Sequence, residues 1–203
     1  LMARYTGPKC RKCRRFQASL CGKANCAINR KNLPPGPRPV RRRKISDAGQ
    51  QLIEKQKVRF AYGLMERQFR GLYNQASKMP GETGLNLMSL LELRLDNIVY
   101  RLGLASTRSQ ARQLVTHGLV SVDGNKLSVP SARLKIGQKI SFTERGKRSK
   151  YFEILKEEIA SRDVSGWLSV DRESLTGELI SLPGAGDWES IFNPNAIVEN
   201  YSR

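Results

Sequence analysis

The first quarter of the chain carries most of its positive charge, and this crowding limits what that part can fold into. Residues 1–50 hold 14 lysines and arginines against one acid, Asp47, whereas residues 51–203 hold 22 against 17. Like charges at this density repel one another in a compact core, so we predict a basic arm that meets a polyanion. Charge alone leaves three explanations open: a nucleic-acid partner, an anionic membrane surface, and a disordered tail that keeps the chain soluble.

The chain lacks a run of about 18 apolar residues, the length that a membrane-spanning helix needs. Its first residues also lack the apolar stretch of a secretory signal. We therefore expect an intracellular protein that has no membrane partner.

All four cysteines, Cys10, Cys13, Cys21 and Cys26, lie in one short window. The two residues between the first pair let one tight turn present two thiolates to the same ion, and the second pair completes the tetrahedral set that suits zinc. The basic residues around the first pair are expected to favour thiolates. An intracellular setting disfavours disulfides, while an iron–sulfur cluster and unliganded thiols stay open. We predict one zinc ion per chain.

A proline-rich stretch follows the arm. Residues 33–39 read Leu-Pro-Pro-Gly-Pro-Arg-Pro, which excludes helix and central strand because proline fixes φ and lacks a donor. We predict an extended connector that leads into the basic run 41–44.

From Ser46, a suitable N-cap, the apolar residues recur at helical spacing. The side chains that share one face are Met65, Phe69, Leu72, Tyr73 and Ala76. Four cations fall mostly outside this stripe and are predicted to face phosphates: Lys55, Arg59, Arg67 and Arg70. A further apolar ridge predicts a helix from Thr83 to Gly103.

A short helix is predicted from Ser106, its N-cap, to His117. Arg108 and Arg112 are four residues apart and share the face opposite a small apolar core. With the amides of the helix start they would offer one surface to phosphates. The alternative is a solvated helix face.

Extended structure follows this helix. Asp123-Gly124 between apolar residues predicts a hairpin, residues 139–142 alternate as a further strand, and residues 150–161 predict a helix. The last forty residues show scattered apolar groups without a predicted element. The fold class is therefore α+β.

Residues 94–142 resemble the small RNA-binding domain named after ribosomal protein S4, which certain pseudouridine synthases, a heat-shock protein and some tyrosyl-tRNA synthetases share. Three further stretches resemble the bacterial-type small-subunit ribosomal protein S4 family itself, in its cysteine-containing form. They are Met2-Ala3-Arg4-Tyr5-Thr6-Gly7-Pro8, Lys55-Gln56-Lys57 with Tyr62-Gly63 and Glu66-Arg67-Gln68-Phe69-Arg70, and Ile197-Val198-Glu199 with Tyr201-Ser202-Arg203. The gap of seven residues between the cysteine pairs is shorter than is usual in that family, and Asn200 stands where an aromatic residue is usual.

The resemblance implies a zinc-bearing arm (1–45), a mainly helical domain (46–92, completed by 160–203, which return to it) and the small α-helix/β-hairpin RNA-binding domain (93–159). It implies a primary binder of small-subunit, 16S-type rRNA at a five-way junction, which nucleates assembly of the subunit body. The other implied partners are neighbouring small-subunit proteins where mRNA enters, with mRNA as a further candidate. A cytoplasmic, ribosome-bound location and an influence on translational accuracy complete the expectation.

The predicted metal ligands are the four cysteines, and the predicted RNA contacts are basic or polar side chains that reach phosphates and RNA shape rather than hidden base edges. These contacts are Arg4, Tyr5, Arg11, Lys12, Arg14, Arg15, Arg38, Arg41, Arg42, Arg43, Lys44, Lys55, Arg59, Arg67, Arg70, Arg94, Arg101, Ser106, Arg108, Arg112, Gln113, His117 and Lys126.

We predict that the protein is not an enzyme and has no small-molecule substrate. Its one histidine, His117, stands beside a turn glycine, no residue is marked as a nucleophile, and the glycine-rich phosphate loops are missing from the sequence. Two other classes stay open. One is a stand-alone RNA quality-control or modification factor with the same small domain, and the other is a zinc-containing DNA-binding regulator.

Overall fold

The computed structural model of the chain describes residues 5–37 and 44–202. Five predicted RNA contacts lie outside the described residues: Arg4, Arg38, Arg41, Arg42 and Arg43. The chain divides into two compact units, which we call unit one (Leu1–Met88 with Trp188–Arg203) and unit two (Ser89–Asp187).

The described residues combine helices with one antiparallel sheet, so the fold is α+β, as predicted. The helices are α1 (Lys9–Phe16), α2 (Ala27–Arg30), α3 (Asp47–Ala61), α4 (Glu66–Ala76), α5 (Thr83–Glu92), α6 (Leu95–Arg101), α7 (Arg108–Thr116), α8 (Glu144–Lys147), α9 (Lys150–Glu158) and α10 (Pro194–Ser202). A 3-10 turn (Ile159–Ser161) extends α9. The strands are β1 (Val120–Val122), β2 (Asn125–Lys126), β3 (Lys139–Phe142), β4 (Leu168–Asp171) and β5 (Thr176–Leu179).

Helix α10 belongs to unit one. It packs on α3 and buries Ile197. The Tyr201 hydroxyl donates to Glu66 Oε1 at 2.8 Å, and its ring stacks on Tyr73 with the centroids 4.4 Å apart. Burial opposes ionisation of Glu66, but hydrogen bonds from Lys55 and Tyr201 outweigh it and lower the Glu66 pKa. The carboxylate therefore holds α10 in place.

Replacing Tyr201 with phenylalanine should lower the free energy of unfolding by about 1 kcal/mol at neutral pH, because one charge-assisted hydrogen bond is lost. The lowered Glu66 pKa contributes stability above the unfolded-state pKa, and this contribution disappears as the pH falls through the folded-state value. The difference between variant and wild type should therefore shrink in acid. Urea titrations at neutral pH and in acid measure it. Tyr73→Phe is the matched control, and an equal loss in that variant would contradict the assignment.

Unit two is built on a five-stranded antiparallel sheet in the order β2-β1-β3-β5-β4. The predicted hairpin is confirmed, since Val122 pairs with Asn125 and the turn residues Asp123 and Gly124 have φ values of +49° and +80°. Positive φ at both turn positions is the twist that a two-residue hairpin needs. Apolar side chains of α6, α7, α9 and the sheet form one buried core.

The predicted helix 83–103 is broken in the structure. Arg94 adopts an extended conformation (φ −70°, ψ 138°) between α5 and α6. The amide of Leu95 donates to the Ala132 carbonyl at 2.8 Å, and the amide of Leu134 donates to the Leu93 carbonyl at 3.1 Å. Residues 93–95 thus pair like a strand with residues 132–134, a long-range contact that local periodicity does not report.

Strands β4 and β5 form a hairpin that we did not predict. They extend unit two to Asp187, so the return to unit one begins at Trp188 rather than at residue 160. The connecting turn contains Leu175 at a φ of +53° where glycine or asparagine is usual, so the ordinary turn signal is missing.

Candidate RNA-binding surfaces and metal centre

Three of the four cysteine sulfur atoms, those of Cys10, Cys21 and Cys26, lie within 4.8 Å of one another. Sulfur atoms around one tetrahedral ion with bonds of about 2.3 Å are about 3.8 Å apart, so small adjustments bring these three into range. Cys13, one turn after Cys10 in α1, is completely buried and its thiol hydrogen-bonds to Cys21 and Cys26. Three of the thiols thus form one cluster that could hold a metal ion, and Cys13 lies next to two of them.

Burial dominates the titration of two of these thiols. It raises the pKa of Cys13 to about 12 and also raises the pKa of Cys21. At Cys26 burial acts in the same direction, but hydrogen bonds from the Ile28 amide and from Cys21 outweigh it and lower the pKa. The expectation that the surrounding cations would favour thiolates in the first cysteine pair is therefore wrong for Cys13. A metal ion that binds here must displace their protons.

The opposite side of α1 lines a basic cleft of about 500 Å³. Its walls are Tyr5, Arg11, Lys12, Arg15, Pro34 and Pro35. Arg11 and Arg15 are exposed. Burial, and then repulsion by Arg15 and Arg11, lower the pKa of Lys12, which shows that positive charge is crowded there. An anion in the cleft would relieve this repulsion.

Arg14 forms hydrogen bonds within the arm, next to the basic cleft. Its Nε atom donates to the Leu33 carbonyl at 2.8 Å and its guanidinium also reaches the Pro34 carbonyl at 3.4 Å. These bonds hold the proline-rich stretch against α1. Much of the Arg14 guanidinium is therefore used within the protein, although we predicted a contact with RNA.

The four cations predicted from α3 and α4 do not form one surface. Lys55 is 9 % exposed and pairs with Glu66 at 3.0 Å, and Arg59 lies 3.6 Å from the same carboxylate. Arg67 and Arg70 are exposed. The predicted open position is wrong for Lys55, because Glu66 draws its ammonium inward.

Arg94 and Arg112 are buried around one acid. Arg94 donates through Nε and Nη2 to the two carboxylate oxygens of Asp96, at 3.1 and 2.9 Å. Arg112 Nη1 donates to Asp96 Oδ2 at 3.0 Å. The three residues are only 5–6 % exposed. The predicted position of Arg112 on an open helix face is therefore wrong, because that face of α7 packs on α6 and meets the carboxylate. We call these residues the Asp96 triad.

A second buried acid positions Arg108. Glu92 is 0 % exposed, and Arg101 binds it through two nitrogens at 2.9 and 2.7 Å. Asn97 donates to Glu92 at 2.6 Å and accepts from Arg108 Nε at 2.8 Å. The half-exposed Arg108 guanidinium also lies over the Tyr100 ring. Sequence reasoning missed Glu92, Asp96 and Asn97, although acids among arginines were a visible signal.

The remaining predicted contacts lie at the ends of α7 and near the hairpin. Thr107, not Ser106, caps the helix, since its hydroxyl accepts from the Gln110 amide at 3.3 Å. The Ser106 amide donates to Gln110 and its hydroxyl accepts from Arg162, so the predicted anion site is partly occupied from within. Of these remaining contacts Ser106, Gln113, His117 and Lys126 are exposed, and so is Lys44 at the start of the helical region.

Two family descriptions match the chain, Ribosomal protein S4/S9 N-terminal domain over residues 4–92 and S4 domain over residues 93–140. Small ribosomal subunit protein uS4 of Dehalococcoides mccartyi is 46% identical over 207 aligned residues, and that of Clostridioides difficile is 45% identical over 208. Both alignments cover 100% of each chain. The chain belongs to the bacterial uS4 family.

The two family matches of this uS4 chain cover different features of the structure. The cysteine cluster and the basic cleft fall within the N-terminal match, and the Asp96 triad falls within the S4-domain match. Helices α8 and α9 and strands β4 and β5 follow the matched residues but belong to the same compact unit. Within residues 5–37 and 44–202 of this uS4 chain, no helix has both the length and the apolar character to cross a membrane.

Proposed function

We propose that the protein is a structural constituent of the small ribosomal subunit that binds small-subunit, 16S-type rRNA directly and nucleates assembly of the subunit body. The observation that carries this proposal is the similarity over 100% of both chains to proteins named small ribosomal subunit protein uS4. A stand-alone RNA factor would share the small domain alone, so coverage of the whole length favours the ribosomal role. The same relationship supports a structural, non-enzymatic protein.

The basic cleft is the part of the arm best suited to hold RNA. Arg11 and Arg15 supply two exposed guanidiniums, which bind phosphates in two-pronged fashion. The Tyr5 ring lies beside them and offers a face on which a base can stack. We infer that the cleft holds the backbone of one RNA strand next to an accessible base.

One zinc ion is proposed for the cysteine cluster. Three clustered sulfur donors, with the buried thiol of Cys13 beside them, fit the closed, four-ligand sites of structural zinc. Cys10, Cys13, Cys21 and Cys26 would hold the ion, which supplies local folding free energy. The role of the ion is then to fix α1, and with α1 the cations of the basic cleft.

Further partners follow from the ribosomal role. We propose neighbouring small-subunit proteins where mRNA enters, contact with mRNA, an influence on translational accuracy, and a cytoplasmic, ribosome-bound location. The crowding of 14 cations in residues 1–50 supports a polyanionic environment for the arm.

Binding to naked small-subunit rRNA tests the proposal. Affinity should fall steeply with salt, with a log–log slope that corresponds to roughly 6–10 phosphate contacts. Replacing Arg11 and Arg15 with glutamine should weaken binding about 10- to 30-fold and reduce the slope by about 2, because two contacts are removed. Filter binding across a salt series measures both quantities.

The matched control is the double variant Lys23→Gln and Arg30→Gln, which removes two exposed cations of the same arm outside the cleft. We expect a much smaller effect. A wild-type slope near zero would contradict the proposed function, and equal effects of the two double variants would contradict the assignment of the cleft.

A further inference from the structure

A run of exposed cations in unit two lies outside every predicted contact. Residues 143–150 read Thr-Glu-Arg-Gly-Lys-Arg-Ser-Lys and contain one acid. Arg145, Lys147, Arg148 and Lys150 are all exposed. Lys147 pairs with Glu144 at 2.9 Å, and both Lys147 and Arg148 lower the Glu144 pKa. The segment thus has a clear positive excess on its surface.

Helix α8, at the centre of this run, is clamped to the turn that follows α7. The Thr143 hydroxyl donates to the Gly118 carbonyl at 3.1 Å and accepts from the Gly146 amide at 3.2 Å. The Thr143 amide donates to the Leu119 carbonyl at 3.0 Å. A Cβ atom at Gly146 would lie 2.5 Å from the Leu119 carbonyl oxygen, so only glycine permits this approach. The backbone that carries the cations is therefore held in one position.

The same turn brings two further basic groups to the surface. The Lys126 side chain crosses Gly118 so closely that a Cβ atom there would collide with it. His117 is exposed and ends α7 directly before Gly118. Basic residues from α8, the β1–β2 hairpin and the end of α7 thus lie around one backbone turn. We call this set, Arg145, Lys147, Arg148, Lys150, His117 and Lys126, the α8 surface.

The chemistry of the α8 surface fits a phosphodiester backbone better than a protein. Residues 143–150 contain no apolar side chain, whereas the centre of a protein interface is enriched in apolar and aromatic groups and depleted of charge. Cations on a fixed backbone can match the spacing of phosphates, and such contacts orient a protein on structured RNA. Arg94 and Arg112, which were expected to supply phosphate contacts in unit two, are instead bound to Asp96.

We propose that the α8 surface is an RNA-backbone-binding site of unit two, separate from the N-terminal end of α7. The inference rests on the proposed function and adds residues to it. The ligand is the sugar-phosphate backbone of structured small-subunit rRNA, recognised by charge and position and not by base sequence.

The test compares two double variants of the full chain on naked small-subunit rRNA. Arg145→Gln with Arg148→Gln removes two cations of the α8 surface. Lys135→Gln with Lys139→Gln removes two exposed cations outside the α8 surface: Lys139 is the first residue of β3, at the end of the strand away from α8, and Lys135 lies four residues before it. We expect the first pair to weaken binding about 10- to 30-fold at moderate salt and to reduce the salt slope by about 2. The control pair should change affinity less than about 3-fold.

A charge-conserving variant, Arg145→Lys with Arg148→Lys, should keep most of the wild-type affinity and salt slope. This comparison distinguishes an effect of charge from an effect of misfolding. Equal weakening by the two glutamine pairs, or no recovery with lysine, would overturn the α8 surface. Unchanged affinity of the Arg145 and Arg148 variant for rRNA would overturn it too, and would direct attention to an acidic protein partner. If the wild-type chain showed no preference for small-subunit rRNA over an unrelated RNA, the proposed function and this inference would both fail.

Discussion

Replacing Cys13 with serine should abolish zinc binding at the proposed centre and unfold the arm while unit two stays folded. Cys13 is completely buried and its thiol hydrogen-bonds to Cys21 and Cys26, so replacing it disturbs the centre of the cluster. Structural zinc supplies on the order of 10 kcal/mol of local folding free energy, and the short helices α1 and α2 have little other core. The cations of the basic cleft would then lose their fixed positions.

Two measurements check this result. Elemental analysis should find one zinc per wild-type chain and none in the variant, and hydrogen exchange should show lost protection in α1 and α2 but not in β1 and β3. The matched control is Asn25→Ser, an exposed neighbour of Cys26, which should keep both the metal and the protection. A variant that retained one zinc, or a wild-type protein with four freely reactive thiols, would contradict the proposed centre.

Replacing Asp96 with alanine should destabilise unit two by about 3–5 kcal/mol, because two buried guanidiniums lose their shared counter-charge. Arg94 and Arg112 are each about 5–6 % exposed, so neither can regain its hydration without local unfolding. Replacing Arg94, Asp96 and Arg112 together with apolar side chains of similar volume should lower the free energy of unfolding far less than removing the carboxylate alone.

Urea unfolding followed by the fluorescence of Trp167, which is buried in unit two, measures this loss once Trp188 of unit one is changed to phenylalanine. The control is Glu144→Ala, which breaks a surface pair with Lys147 and should leave the unfolding midpoint almost unchanged. A loss in Asp96→Ala no larger than in the control would mean that the Asp96 triad does not stabilise unit two. It would also return Arg112 to the candidate RNA contacts.

Several local features were predictable because their causes lie within a few residues. The Ser46 hydroxyl caps α3, the Asp123-Gly124 pair forms the predicted turn, and residues 139–142 form the predicted strand. Capping, turn chemistry and alternation act over one to four positions of the chain. The spacing of the cysteines likewise predicted a cluster, and the fold brings the sulfur atoms of Cys10, Cys21 and Cys26 within 4.8 Å of one another.

Whether a predicted cation is exposed or buried depends on the tertiary structure. Spacing predicted Arg108 and Arg112 on one open face of α7, but Asp96, 16 residues before Arg112 in the chain, binds Arg112 and makes it part of the core. Lys55 is drawn inward in the same way by Glu66, and the β4–β5 hairpin is held by a sheet whose other strands lie far away in sequence. The family, the α+β class and the basic character of the protein follow from the amino-acid sequence alone. Which guanidiniums stay in water depends on carboxylates that only the folded chain brings near, because the desolvation of a charge is set by its neighbours in space.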